Sequence, residues 1–279
     1  MHDTEIIGPV VHRPFEDGPT DAGFRWRVGA RPLDEAHWFE WGDDADRAVA
    51  AKAGVARRHP DTTFSVLDDI EPEADETAEL VVAHLADHHP ERSRRLDPEL
   101  HALDAASRLV PDDLVLLVRR DDGLVCGGGS VSFPNRWDLR SKLGRTMREV
   151  HDPVPDLNTQ LGDAIDRFLD RITADRPWWR LGWGVIDHAD WYAPLDGSDS
   201  DRHPRSSAGH PHLRIERETL RRLPRTDGVL FTIRTHVSPV AVLDDDARER
   251  LDRRLSAMPD DVRDYKGVND LRESFANLI

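Results

Sequence analysis

The stretch that decides the fold is Leu213–Val237, LRIERETLRRLPRTDGVLFTIRTHV, in which two alternating runs flank a turn. Apolar and polar side chains alternate along Leu213–Thr219 and again along Val229–Val237, which is the period of a β-strand. Between them, Arg225–Gly228 (RTDG) has residue types that are typical of a turn. The pattern therefore predicts a long antiparallel β-hairpin.

Further strands and two helices are predicted upstream of the hairpin. Leu114–Val118 is a short apolar run that predicts a buried strand, and Leu124–Phe133 predicts a second one. An aromatic-rich run begins a third strand at Trp178. Apolar residues at helical spacing predict helices over 138–151 and Leu157–Ile172.

Both ends of the chain are predicted to be helical. Residues 31–110 show mainly helical patterns, and near the C-terminus one apolar stripe contains Ala247, Leu251, Leu255 and Met258. Strands in the centre with helices on either side define the α+β class. We expect a single domain over residues 1–279, with a mainly helical part (1–110), a central sheet (111–240) and C-terminal helices (241–279).

Composition excludes several classes of protein. The 279 residues have a net charge of −16, which argues against binding a nucleic-acid backbone but not against binding a small cation. The single cysteine excludes an internal disulfide and an all-cysteine iron–sulfur cluster. The chain has neither a membrane-spanning apolar run nor a secretory signal, so we expect a cytoplasmic protein.

One histidine ends an apolar stripe immediately before a helix stop. Leu139, Leu143 and Met147 recur every four residues, and His151 takes the next position on the same face of the predicted helix. The Asp-Pro dipeptide that follows ends the helix. Such a histidine suits an axial ligand of a buried metal cofactor, and it equally suits a structural residue that only donates a hydrogen bond.

The hairpin carries arginines whose partners the sequence leaves open. Arg234 and His236 share one face of the second strand, so they point together into a cleft or into solvent if the apolar face packs on the core. In a cleft, an arginine is suited to bind an anionic cofactor group. Arg217 shares the face of Leu213 and Ile215, where it requires either a glutamate or an anionic ligand, and an internal salt bridge is the simpler account.

Two unusual segments remain. The triplet Gly127–Gly129 lacks the spacing of a P-loop or a dinucleotide fingerprint, so it predicts either close approach of the backbone to a flat ligand or a β-bulge. Pro194–His212 is a loop of low apolar content, and its length is typical of mobile or functional loops.

With these residues identified, the chain resembles the haem-dependent oxidative N-demethylase alpha-subunit-like family. The resemblance covers most of the chain, and its second and fourth segments are long and unusual. The segments are RPLDEAHWFEW (31–41), FPNRWDLRSKLG continuing into VHDPVP (133–155), DRF (166–168) and RIERETLRRLPRTDGVLFTIRT (214–235).

The resemblance implies a PAS-like α+β fold that binds haem b. It implies demethylation of a small secondary amine, such as dimethylamine, by dioxygen with release of formaldehyde. Electrons would come from NADPH through partner reductase subunits that carry FMN and an iron–sulfur cluster. The chain is consistent with these cofactors lying on other subunits, because it has no nucleotide motif and too few cysteines for a cluster.

The resemblance also implies roles for individual residues. The VHDPVP match makes His151 the expected axial haem ligand. Arg217, Arg222 and Arg234 are then expected to bind the haem propionates, and Glu216 is expected to bind a protonated amine or relay protons.

Two positions depart from the family pattern. His236 stands where an aromatic residue, commonly tyrosine, is expected, and Gly182 stands where asparagine is expected. If either lines the distal pocket, the substrate differs from dimethylamine or activity is lost. The alternatives are a haem-binding PAS-like sensor or gas-binding protein without turnover, and a relative of the same fold that binds no haem.

Overall fold

The computed structural model describes residues 12–17, 23–121, 123–194 and 210–271. These ranges contain seven β-strands and eight α-helices. The strands are β1 (Arg31–Pro32), β2 (Phe64–Val66), β3 (Asp113–Arg120), β4 (Gly123–Ser130), β5 (Trp178–Ile186), β6 (His212–Arg222) and β7 (Val229–Pro239). The helices are α1 (Ala45–Arg58), α2 (Pro60–Thr63), α3 (Glu71–His88), α4 (Ala102–Ser107), α5 (Met147–His151), α6 (Leu157–Arg171), α7 (Asp245–Ser256) and α8 (Asp260–Tyr265).

The strands form one antiparallel sheet in the order β1-β5-β6-β7-β3-β4-β2. The predicted hairpin is present, because β6 pairs with β7 from His212 opposite Pro239 to Arg222 opposite Val229. Its turn places Asp227 in the left-handed region, at φ 62°. β7 also pairs with β3, so the hairpin lies in the middle of the sheet. The predicted α+β class, with an antiparallel sheet between helical ends, is confirmed.

The glycine triplet forms a β-bulge. Leu116 pairs with Gly128, whereas the next residue, Leu117, pairs with Cys126, which leaves Gly127 as the extra residue. A Cβ atom on Gly127 would lie 2.6 Å from Cγ1 of Val118. The chain's own strands therefore approach the triplet closely, and of the two explanations the bulge is the correct one.

The two faces of the sheet are covered by different helices. We call the face that carries Leu117, Leu220 and Phe231 the α6 face, because these residues pack with Leu169 and Ile172 at the end of α6. We call the opposite face the α3 face. Its apolar residues at the β3 end pack beneath α3 and α4, and those at the β5 and β6 end pack against α7.

The chain ends match their predicted helical character. The predicted C-terminal stripe is buried: Ala247, Leu251 and Leu255 lie on α7 and Met258 follows it. Within the described ranges, none of the helices combines the length and the apolar composition that crossing a bilayer requires. Apart from a few residues at its ends, the predicted loop Pro194–His212 falls outside the described residues.

Candidate functional site

The segment that carries His151 is not the continuous helix predicted over 138–151. A 3-10 turn spans Leu139–Lys142, and Gly144 then takes a positive φ of 71°. The Gly144 amide donates to the carbonyl of Cys126 at 2.8 Å, and the Cys126 amide donates to the carbonyl of Arg145 at 2.9 Å. The predicted helix is wrong here because hydrogen bonds to β4 replace the helical ones.

The helix that presents His151 is only five residues long. Thr146 and Glu149 form a reciprocal capping box at its N-terminus, which satisfies amides that a short helix leaves unpaired. Met147 packs with the apolar cluster on the α6 face of the sheet. His151 therefore lies at the end of a short helix that is attached to the α6 face.

His151 is half-buried, and its Nδ1 atom has no hydrogen-bond partner among the described residues. Burial, together with the positive charges of Arg180 and Lys142, lowers the pKa of His151 to about 4. The ring is therefore neutral at pH 7, with a nitrogen lone pair that no protein donor occupies. A neutral imidazole in this state is able to bind a metal.

Small residues on β5 leave space on the α6 face. Gly182 and Gly184 both point to this face, in register with Glu216 and Arg214 of β6. A Cβ atom on Gly182 would lie 2.8 Å from Oε1 of Glu218, whereas one on Gly184 would have no neighbour within 4 Å. A side chain at residue 182 would therefore displace Glu218, while the surface at Gly184 is open.

Two glutamates of β6 point to the same face. Glu218 is buried and forms an ion pair with Arg180 on β5, with 2.7 Å between Nε and Oε2. Burial raises the pKa of Glu218 to about 7, against the attraction of Arg180 and with a contribution from Glu216. Glu216 is held by Arg214, whose Nε donates to it at 2.8 Å. The face thus contains one carboxylate that is paired with an arginine, Glu216, and one that exchanges its proton near neutral pH, Glu218.

A half-buried lysine lies at the free edge of β5. The ammonium of Lys266 donates to the carbonyl of Trp183 at 3.0 Å and lies 5.6 Å from the ring centre of Trp26. Burial lowers the pKa of Lys266 to about 8, although the charge of Glu216 opposes the shift. This third ionisable group is electrostatically coupled to Glu216.

Helix α6 forms the apolar wall beside His151. The predicted helix Leu157–Ile172 is confirmed as Leu157–Arg171. Leu169 and Ile172 at its C-terminal end are buried, but Leu157 and Leu161 in its first turns are only half-buried. Apolar surface is thus left incompletely covered on the part of α6 that follows α5.

The three predicted cofactor-binding arginines are separated by the sheet. Arg222 lies on the α6 face, where it donates to the carbonyls of Ile172 at 2.6 Å and Leu169 at 2.5 Å and so caps α6. Arg217 lies on the α3 face and donates to the carbonyls of His37 and Trp38, at 2.6 and 3.1 Å. The structure brings Glu216 and His151 to one face, and it places Arg217 with Arg234 on the other.

Arg234 and His236 do point together, as the strand alternation predicts. They face neither a cleft nor solvent, because both are buried among acidic side chains on the α3 face. Arg234 binds the carboxylate of Asp44, and His236 contacts Glu40 at 3.0 Å. Phe231 and Ile233, on the apolar side of the strand, are only half-buried.

A cavity of about 270 Å³ lies elsewhere, beside α2 and the 3-10 turn at Leu139–Lys142. Its wall includes His59 and Tyr192, whose rings stack at 4.5 Å. None of the described residues predicted to form the site lines this cavity. We therefore build the candidate site around His151 and β5.

Three residues of this site escaped the sequence analysis. Glu218 follows Glu216 at the strand period, so alternation along β6 carries a signal for it. Arg180 stands two residues before Gly182 in WWRLGWGVI, and the same alternation places both on one face. Lys266 reaches β5 from the C-terminal segment, and no local pattern indicates that contact.

A half-buried neutral imidazole, an open strand surface and paired carboxylates define a protein with a candidate cofactor site on an antiparallel sheet. The model of the family described as haem-dependent oxidative N-demethylase, alpha subunit-like, matches residues 92–276, well over half of the chain. The chain belongs to this family. Three of the four resembling segments lie inside the match, and the first, residues 31–41, lies outside it.

The description of the family names haem as the cofactor, and the residues on the α6 face fit that group. His151 offers an unoccupied ring nitrogen, Gly184 of β5 leaves room for a flat molecule, and the first turns of α6 provide apolar surface. Haem combines a metal, an apolar ring and two carboxylates, and it requires all of these environments.

Proposed function

We propose that the chain is the haem-b subunit of an enzyme that oxidatively demethylates a small secondary amine similar to dimethylamine. Dioxygen supplies one oxygen atom to formaldehyde and one to water, and two electrons and two protons are consumed. Haem supplies the iron on which dioxygen is activated. The electrons come from partner reductase subunits that carry FMN and an iron–sulfur cluster and use NADPH.

The observation that carries this proposal is the unpartnered Nδ1 of His151 on a ring whose pKa is about 4. We assign His151 as the residue that would bind the haem iron, because a neutral, partly buried imidazole would do so without first losing a proton. Arg180, whose side chain is 32% exposed, is the cation on this face that we assign to a haem carboxylate. Arg222 already donates to protein acceptors through all three of its nitrogens.

The carboxylates of Glu216 and Glu218 are suited to bind and deprotonate a cationic substrate. A secondary amine is protonated at neutral pH, so the side chain of Glu216 is a suitable partner for it. Glu218, whose pKa is about 7, is able to take the ammonium proton at its carboxylate and release the neutral amine. Gly182, where the family pattern has asparagine, leaves the space that Glu218 occupies.

Replacing His151 by alanine is expected to abolish the Soret band of the haem-reconstituted protein or to shift it strongly. The matched control is His84→Gln, because burial also lowers the pKa of His84 to about 4 and its Nε2 also has no partner among the described residues. His84 packs against Trp38 and Phe39, within the core of the α3 face. An unchanged spectrum in the His151 variant would refute the assignment of the ligand.

An assay of turnover distinguishes the proposed enzyme from a haem-binding sensor that has no catalytic activity. The reconstituted protein, supplied with an artificial reductant, dioxygen and dimethylamine, is expected to release formaldehyde, and Glu216→Gln is expected to slow that release while haem remains bound. Haem binding without formaldehyde release from any small methylated amine would favour the sensor. A protein that stays colourless with added haemin would refute both.

A further inference from the structure

Two histidines and a glutamate from distant parts of the chain meet on the α3 face. His12 precedes the first 3-10 turn, Glu40 lies in the loop before α1, and His236 is on β7. Nε2 of His12 lies 2.9 and 3.1 Å from the two carboxylate oxygens of Glu40, and Nε2 of His236 lies 3.0 Å from Oε2. One ligand atom from each residue lies within 4.8 Å of the other two.

These spacings are close to those of ligands that share one metal ion. Two ligands at the tetrahedral angle, each ~2.1 Å from a metal, are about 3.4 Å apart, so the side chains would have to separate by only a few tenths of an ångström to bind one. Nε2 of each histidine is within hydrogen-bond distance of the carboxylate of Glu40. The cluster therefore presents one carboxylate to two imidazole nitrogens.

A further carboxylate lies near the histidine on β7, beyond hydrogen-bond distance. Nδ1 of His236 lies 3.8 Å from Oδ2 of Asp44, and Asp44 is itself bound by Arg234. Proteins commonly place a carboxylate behind the second ring nitrogen of a metal-binding histidine, and Asp44 lies on that side of His236.

The cluster is reachable from solvent. The side chains of His12, Glu40 and His236 are 17%, 22% and 9% exposed. An ion is thus able to enter, and water is able to complete its coordination.

We propose that His12, Glu40 and His236 bind a divalent transition-metal cation of the Zn²⁺ type, on the sheet face opposite His151. Two imidazoles and one carboxylate are a ligand set that suits Zn²⁺, with water in the remaining position. The ion joins the segment around His12 to β7. This site is independent of haem binding.

The proposal is tested by calorimetric titration of Zn²⁺ into the full-length, haem-reconstituted protein. We expect one equivalent to bind, with affinity weakened at least tenfold in His236→Gln and in His12→Gln. The matched control is His37→Gln, because His37 is exposed and forms a similar contact with Asp34 at 3.1 Å. That variant is expected to bind Zn²⁺ as the wild type does.

The Soret band serves as a separate measurement for each variant. It is expected to stay unchanged in His12→Gln, whose side chain is half-buried and leaves the sheet intact. Absence of stoichiometric Zn²⁺ binding, or equal affinity in wild type and in the double variant of His12 and His236, would overturn the proposal. Neither result bears on His151.

Discussion

Replacement of Lys52 by methionine is expected to destabilise the protein by about 3–5 kcal/mol, as for other buried ion pairs that lose one partner. Lys52 on α1 is 1% exposed. Its ammonium donates to the carbonyls of Ser107 at 2.7 Å and Val110 at 3.2 Å, and also to that of Asp112. Methionine fills a similar volume but satisfies none of these acceptors.

The buried acids near Lys52 enlarge the effect. Asp113 lies 3.7 Å from the ammonium and is fully buried, and it accepts the amides of Ser132 and Phe133. Burial raises the pKa of Asp113, and Lys52 is the first charge that opposes this rise. Without Lys52, ionised Asp113 has lost its nearest cation in a site that water does not reach.

Chemical denaturation of the Lys52→Met variant measures this effect. The matched control is Arg57→Met, which removes a cation from the exposed side of the same helix and is expected to change stability by less than about 0.5 kcal/mol. Equal stability of the two variants would show that the Lys52 contacts contribute little.

Glu218→Gln is expected to change the pH dependence of stability by about 3 kcal/mol. The folded carboxyl has a pKa of about 7 against its ordinary 4.5, so at intermediate pH the folded protein holds a proton that the unfolded chain has released. The wild type is therefore favoured below pH 4.5 and loses this contribution as the pH rises through 7. The difference between the two pKa values corresponds to about 3 kcal/mol.

The measurement is the free energy of unfolding of wild type and variant from pH 5 to pH 9. We expect the difference to move in favour of Glu218→Gln as the pH rises, because the ion pair with Arg180 forms only as Glu218 ionises and does not offset the burial of its charge. Glu79→Gln is the control, because Glu79 pairs with Arg225 at the surface. Parallel curves for the wild type and Glu218→Gln would contradict the raised pKa of Glu218.

Local patterns predicted most of the fold. The hairpin of β6 and β7, helix α6 and the stripe on α7 follow from alternation or helical spacing over a single segment. The helix over 138–151 failed for a non-local reason. Its apolar spacing is helical, but Gly144 and Arg145 bond to Cys126 on β4, and no pattern within the segment indicates that partner.

The site was only partly predictable for the same reason. His151 is a candidate from the sequence because its helix stop is local, whereas the partners of Arg217 and Arg234 lie in the N-terminal part of the chain. The pattern of β7 could not show that both strand faces are covered, one by α6 and one by acidic residues. Side-chain alternation places residues on a face, but only tertiary packing decides what that face meets.

The orientation of the His151 side chain depends on the length of the short segment that connects it to β4. Thr146 is bridged to Val125, and only four residues separate it from His151. A residue inserted before Gly144 could be absorbed by the turn at Leu139–Lys142. A residue inserted within α5 would turn the imidazole by about 100° around the helix axis and point it away from the sheet. In related chains whose histidine has the same role as His151, we therefore expect insertions and deletions before Gly144. We expect the number of residues between Gly144 and His151 to stay constant.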